Sequence, residues 1–193
     1  MGRSRMTDGF RLPQAIPLME KAMEIRELVD HILEAAPEEG ADLNDGTDES
    51  NKRREFEREA LKDQIDEMYG ASLLIPAKIA GAEGGDLYDI RMENAALIRK
   101  AARELIVGLR GLEIFGYDEQ PYFNLLREQM EEFRKLFVAW VQAFDMRRFV
   151  ADEWGLFNPP GVDPDSDLIG DIGGDDDDDD GPGPFGGGGD DPF

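Results

Sequence analysis

The sequence contains no cysteine and only one histidine, His31. The first absence excludes disulfides, thiolate metal sites and a cysteine nucleophile, and it suits a reducing compartment. The second leaves no pair of histidines for a Glu-x-x-His di-metal core and no testable Ser-His-Asp arrangement. Long apolar runs are missing as well. Nothing approaches the roughly 20 residues that a membrane-spanning helix needs, and "MGRSRMTDGF" has no apolar stretch behind its arginines. There is neither a G-x-x-x-x-G-K-[ST] phosphate loop nor a G-x-G-x-x-G turn. These features together lead to the expectation of a soluble, cytoplasmic, non-enzymatic protein without a cofactor.

What is abundant is negative charge. Over 193 residues the net charge is −23. Residues 151–193 hold 14 of the 44 acids and none of the 21 bases, so residues 1–150 carry 30 acids against 21 bases, a balance of −9. Such a body repels phosphate backbones and argues against direct nucleic-acid binding. The short basic clusters Lys52-Arg53-Arg54 and Arg147-Arg148 read as solvated helix ends.

Four segments carry helical periodicity. Leu18, Ala22, Ile25, Val29, Ile32 and Ala36 form one stripe over Pro17–Ala36, closed by Pro37 and Gly40. A second helix starts near Asn51 with a looser stripe of Phe56, Ala60, Met68, Ser72, Ile75 and Ile79. Pro76 falls inside it and predicts a kink or break near Leu73, and "GAEGG" at 81–85 predicts its end. A third helix is expected after an Asp86 N-cap, with Leu87, Ile90, Asn94, Leu97, Ala101 and Leu105 facing inward and its last turns weakened by Gly108 and Gly111. The fourth, capped by Asp118 with Pro121 in its first turn, is the clearest. Phe123, Leu126, Met130, Phe133, Phe137, Trp140 and Phe144 recur at spacings of three and four, a heptad seam rich in aromatics.

No segment reads as a strand. The expected fold is all-α, an up-down-up-down four-helix bundle over residues 15–150 behind a flexible N-terminus, 1–14. Residues 151–193 read as an acidic Gly/Asp/Pro-rich disordered tail, too poor in apolar groups to offset the entropy of ordering. Trp154, Leu156 and Phe157 are expected to pin its root to the bundle.

The middle of the chain, "SLLIPAKIAGAEGGDLYDI", resembles the bacterial four-helix-bundle proteins of the 23S rRNA intervening-sequence type. The matching positions are Ser72, Ile75, Pro76, Ile79 and Ala80, with Lys78 where that family has Asn and its Glu-Gly displaced to Glu83-Gly84. The resemblance implies a non-catalytic, often pentameric bundle. One branch of that family serves as the accessory subunit of diversity-generating retroelements, is strongly basic, and works with a reverse transcriptase and its RNA.

Two other short patterns bear on chemistry. Arg26 and His31 resemble the Arg-x4-6-His motif of HEPN ribonucleases, in which Arg holds phosphate and His moves protons. Five residues on one helix place the two side chains roughly 140° apart. "DPDSD", Asp163 to Asp167, alternates carboxylates like a calcium loop, but Leu168 and Gly174 stand where an EF-hand requires Gly and Glu.

The end of the chain carries the sharpest signal. "GGGGDDPF" places Asp190, Asp191, Pro192 and Phe193 after a glycine spacer, and an imperfect copy, "DDDGPGPF", ends at Phe185. The tip resembles the acidic C-terminal tip of bacterial single-stranded-DNA-binding protein. The aromatic would enter a pocket, its carboxylate would pair at the rim, and the aspartates would steer toward a basic surface. The leading expectation is an oligomeric interaction or scaffold protein engaging basic protein partners through this tail. The alternatives are a nucleic-acid-associated accessory bundle working with a polymerase or reverse transcriptase, and a HEPN-like ribonuclease.

Overall fold

The computed structural model describes residues 9–34, 48–117 and 119–164. The helices are α1 (Ala15–Glu34), α2 (Asp48–Glu83), α3 (Tyr88–Ile114) and α4 (Gln120–Gln142), with no strand among the described residues. The expected all-α four-helix bundle is the observed fold. α1 packs on α2, α2 on α3, α3 on α4, and α4 closes the ring on α1, while the backbones of the diagonal pairs stay apart among the described residues. No described helix is long and apolar enough to cross a membrane.

Antiparallel neighbours follow from the short connections and from bonds at the two ends. The backbone N–H groups of Arg11 and Leu12, just before α1, reach the Glu83 carboxylate at the end of α2. Tyr88 N–H at the start of α3 donates to the Arg148 carbonyl beyond α4, at 2.5 Å. At the other end the Tyr117 hydroxyl donates to the Ile32 carbonyl, at 2.7 Å. Midway, half-buried Lys21 joins α1 to α4 through Gln129 and Glu132, both at 2.7 Å.

The α1 stripe faces the core as read, from Leu18 through Ile32, while Ala36 lies outside the described residues. Six of the seven seam residues lie on α4 and Phe144 follows just beyond its end, and all seven are buried or half-buried. Asp118 lies outside the described residues, and the residue flanking α4 is Glu119.

Four expectations are corrected. Pro76 neither ends nor breaks α2. It removes only the bond to the Ser72 carbonyl, and burial of Ile75, Pro76 and Ile79 carries the helix through. Phe56 is 71% exposed, because the first turns of α2 extend past the level reached by the neighbouring helices. Asp86 does not cap α3. Leu87 flanks the helix without a side-chain bond, and the Asp86 carboxylate is taken by Arg91 and Arg148. Finally, the inward face of α3 runs through Arg91, Ala95, Ile98, Leu105, Leu109 and Leu112, one residue out of phase with Ile90, Asn94 and Leu97 in its first half.

Gly108 and Gly111 prove to be contact residues of the α2–α3 seam. A Cβ on Gly108 would lie 2.3 Å from Met68 Cγ, and one on Gly111 would lie 2.6 Å from Gln64 Oε1. Met68 is fully buried, whereas half-buried Gln64 can swing toward solvent. Gly→Ala gains about 1 kcal/mol of helix propensity, and overpacking a core costs about 1–3 kcal/mol. Gly108→Ala is therefore expected to lower the chemical-denaturation midpoint and Gly111→Ala to leave it unchanged or raise it. Equal losses at both positions would contradict this packing.

Candidate functional site

The four seams of the bundle are not packed alike. Glycines draw α2 and α3 together, whereas α4 carries no glycine and sets large aromatics, Phe133, Phe137 and Trp140, along its inward side. The α3–α4 seam is the most sparsely packed of the four. It opens to solvent as a groove of about 580 Å³, within the usual size range of small-molecule and peptide sites.

On α3, Arg99, Arg103 and Arg110 alternate with Ala102, Ile106 and Val107. On α4, Arg127 and Arg134 stand seven residues apart, with Met130, Phe133, Phe137 and Val138 on the floor. Both stripes follow the helical repeat, so each helix turns one apolar edge and one row of guanidinium groups to the same opening. Val107 is 61% exposed, an unusual state for a valine flanked by half-buried Ile106 and a rim of cations.

The rim is not uniformly neutralised. Arg127 Nη2 lies 2.6 Å from Glu113 Oε1, and its hydrogen bond holds the Glu113 carboxyl below the usual range. Arg134 clasps Glu131 with bonds of 2.8 and 2.7 Å, lowering that carboxyl in the same way. Arg99 and Arg103 have no carboxylate at ion-pair distance among the described residues, and a second hollow beside Lys100 shares both of them. A body with an acidic balance thus carries a basic, apolar-floored strip on one seam.

A second polar cluster sits at the end of the bundle where α2 finishes. Glu83 is buried and accepts hydrogen bonds from Trp140 Nε1 at 2.9 Å and from the Arg11 and Leu12 amides at 2.8 and 2.9 Å. Buried Arg91 places Nη2 3.8 Å from Glu83 and Nη1 3.1 Å from Asp86, with its guanidinium carbon 5.6 Å from the centre of the Phe144 ring. Neither residue lines the groove. Every partner comes from the fold itself, so this cluster ties elements together and presents no reactive group to a cleft.

The structure separates the residues singled out from the sequence. Arg26 lies 4.0 Å from Asp30 and exposed His31 lies 4.0 Å from Glu34, so the two point to different carboxylates of their own helix. Ser72, Ile75, Pro76 and Ile79 face inward on α2, where the Ser72 hydroxyl donates to the Tyr69 carbonyl at 2.7 Å, and Ala80 is exposed. Among the described residues no group of three or more His, Asp or Glu is placed to hold a metal ion. Asp163 is described, but Asp165 to Asp167 lie outside the described residues, as do Asp175–Asp180, Phe185, Asp190, Asp191, Pro192 and Phe193.

Beyond α4 the chain runs in turns along the first turns of α3. Val150 N–H donates to Asp89 Oδ1 at 3.2 Å, and Asp152 and Asn158 exchange bonds of 2.7 and 3.0 Å. Trp154 is 91% exposed and Leu156 is also exposed, so these two do not pin the segment. Asp86–Arg148, half-buried Phe157 and buried Pro159 do. In the turn that starts the segment, Asp145 chelates Arg147, which holds its carboxyl down at about 2.

The groove and the Glu83–Arg91 cluster both escaped the reading of the sequence. The signal for the cluster was an arginine at a core register of α3. The signal for the groove was arginine recurring at helical spacing on two helices at once. No family model, curated protein or solved structure matches the chain.

Proposed function

We propose that this chain is a non-enzymatic interaction or scaffold protein, in which the bundle is a rigid base and the acidic segment ending in Asp190, Asp191, Pro192 and Phe193 engages basic protein partners. The observation that carries this reading is the placement of the ionisable groups. Those buried in the bundle, Glu83 and Arg91, are consumed by the fold, and the open groove offers apolar and cationic surface without a general acid–base pair or nucleophile. Assembly into a homo-oligomer, as the resemblance to the intervening-sequence type implies, would array several such tips and raise weak binding by multivalency.

The test compares immobilised full-length chain with a version lacking Asp190–Phe193, both exposed to native extract. The expected result is a defined set of basic proteins lost with the four residues. Recovery of the same proteins by both versions, or of none, overturns the reading.

A second reading, an accessory bundle on nucleic acid, is favoured by one observation: Arg99 and Arg103 on the groove have no carboxylate at ion-pair distance among the described residues. It requires RNA or DNA retention at low salt that disappears in an Arg99→Ala/Arg103→Ala double variant.

A further inference from the structure

The groove between α3 and α4 combines an apolar floor with an arginine rim, in a chain whose bases are otherwise outnumbered. Its chemical complement is an anionic segment that carries an aromatic. The same chain contains one: "DDDDDDGPGPF", residues 175–185, in which six consecutive aspartates precede Phe185. We propose that the α3/α4 groove is the docking site for residues 175–185 of its own chain, with the aspartates along the arginines and Phe185 on the floor beside Phe133 and Phe137.

The dimensions agree. Arg99 to Arg110 covers about 17 Å of helix at 1.5 Å per residue, and six extended residues cover about 20 Å. The exit point agrees as well. Residues 150–157 lie against Asp89, Ile90 and Glu93, and Gly155 packs on Pro164, so the last described residue stands near the first turns of α3. From Ile90 the groove begins about 14 Å along the helix and ends about 30 Å along it. The residues from 165 to 175 can span about 36 Å, which reaches the whole rim without reversing the chain.

Tethering makes the contact effective even when it is weak. A segment on a short linker is present at its own groove at an effective concentration on the order of millimolar. Aspartate–arginine contacts at an exposed rim are weak singly and screened by salt, while six against a row of guanidinium groups add directional steering. Glu131, the acid on the rim, is already clasped by Arg134 and leaves Arg99 and Arg103 to the incoming carboxylates. Docking of 175–185 leaves Asp190–Phe193 free for a partner, and it covers a cationic strip that could otherwise capture nucleic acid.

The chain has no cysteine, so a single Gly186→Cys places a nitroxide spin label beside Phe185 in the full-length protein. The expected result is loss of the amide NMR signals of residues 99–110 and 127–138, with those of α1 retained. The signals should return in Phe185→Ala, in Arg99→Ala/Arg103→Ala, and at about 1 M salt, where the screening length falls to about 3 Å. Removal of Asp190–Phe193 should leave the pattern intact, so this result is independent of whether the tip finds partners. Unchanged groove signals, or loss spread evenly over all helices, overturns the proposal. So does a pattern that vanishes with the last four residues. Loss that appears only when spin-labelled chains are mixed with isotope-labelled ones assigns the groove to a second copy and overturns docking within one chain.

Discussion

Glu83→Ala is expected to lower the unfolding free energy by about 3–5 kcal/mol, the range found when one partner of a buried ion pair is removed. At this chain length that corresponds to a fall of roughly 6–20 °C in Tm. The reason lies in what is left behind. The Arg11 and Leu12 amides and Trp140 Nε1 lose their common acceptor, and Arg91 keeps Asp86 and a long, 3.4 Å bond to the Ala82 carbonyl. Arg91→Met is expected to cost less, about 1–3 kcal/mol, because the Glu83 carboxylate retains three N–H donors and methionine fills the space of the arginine stem. Thermal or urea denaturation of the two variants checks the order. An Arg91→Met loss equal to or larger than that of Glu83→Ala would show that the ion pair, and not the three hydrogen bonds, dominates the cluster.

Trp140→Ala is the second large effect, again about 3–5 kcal/mol. Trp140 is fully buried, with Phe144 edge-on at 4.7 Å and Phe137 tilted at 5.9 Å between ring centres. Truncation empties the space between these rings and also removes a hydrogen bond to Glu83. Trp140→Phe separates the two contributions, since it keeps most of the ring volume and loses the N–H. Its expected cost is about 1–3 kcal/mol, from the donor lost to a buried carboxylate. Because Trp140 and Glu83 share a bond, their losses should not add in a double variant. Strict additivity would mean that the indole nitrogen contributes nothing.

The contrast between α4 and α3 marks how far the sequence could be read. On α4 all six inward positions of the seam are large and apolar, Phe144 continues it past the helix end, and the three–four spacing admits one phase only. On α3 the inward face begins with Arg91, a residue type that almost never occupies a core register without a partner. Leu87 and Ile90 offered an apolar alternative one position away, and the phase slipped with them. The partner that resolves the ambiguity, Glu83, stands eight residues earlier on another helix, beyond the reach of any local periodicity. The same limit hid the groove. Arg99, Arg103, Arg127 and Arg134 each look like ordinary solvated helix residues, and only the packing of α3 beside α4 brings both rows to one opening. Phe56 fits a stripe on α2 but has no facing helix at its level, because the stripe gives no information about where a neighbour stops.

The polar cluster also divides the bundle mechanically. One end is laced by Glu83, Arg91, Asp86 and Arg148 into a corner that joins the entry to α1, the end of α2, the start of α3 and the chain leaving α4. The other end has the Tyr117–Ile32 bond and the projecting first turns of α2. The residues that lead to the acidic segment depart from the laced corner. A pull on that segment therefore loads this laced corner before it reaches the Tyr117 end of the bundle.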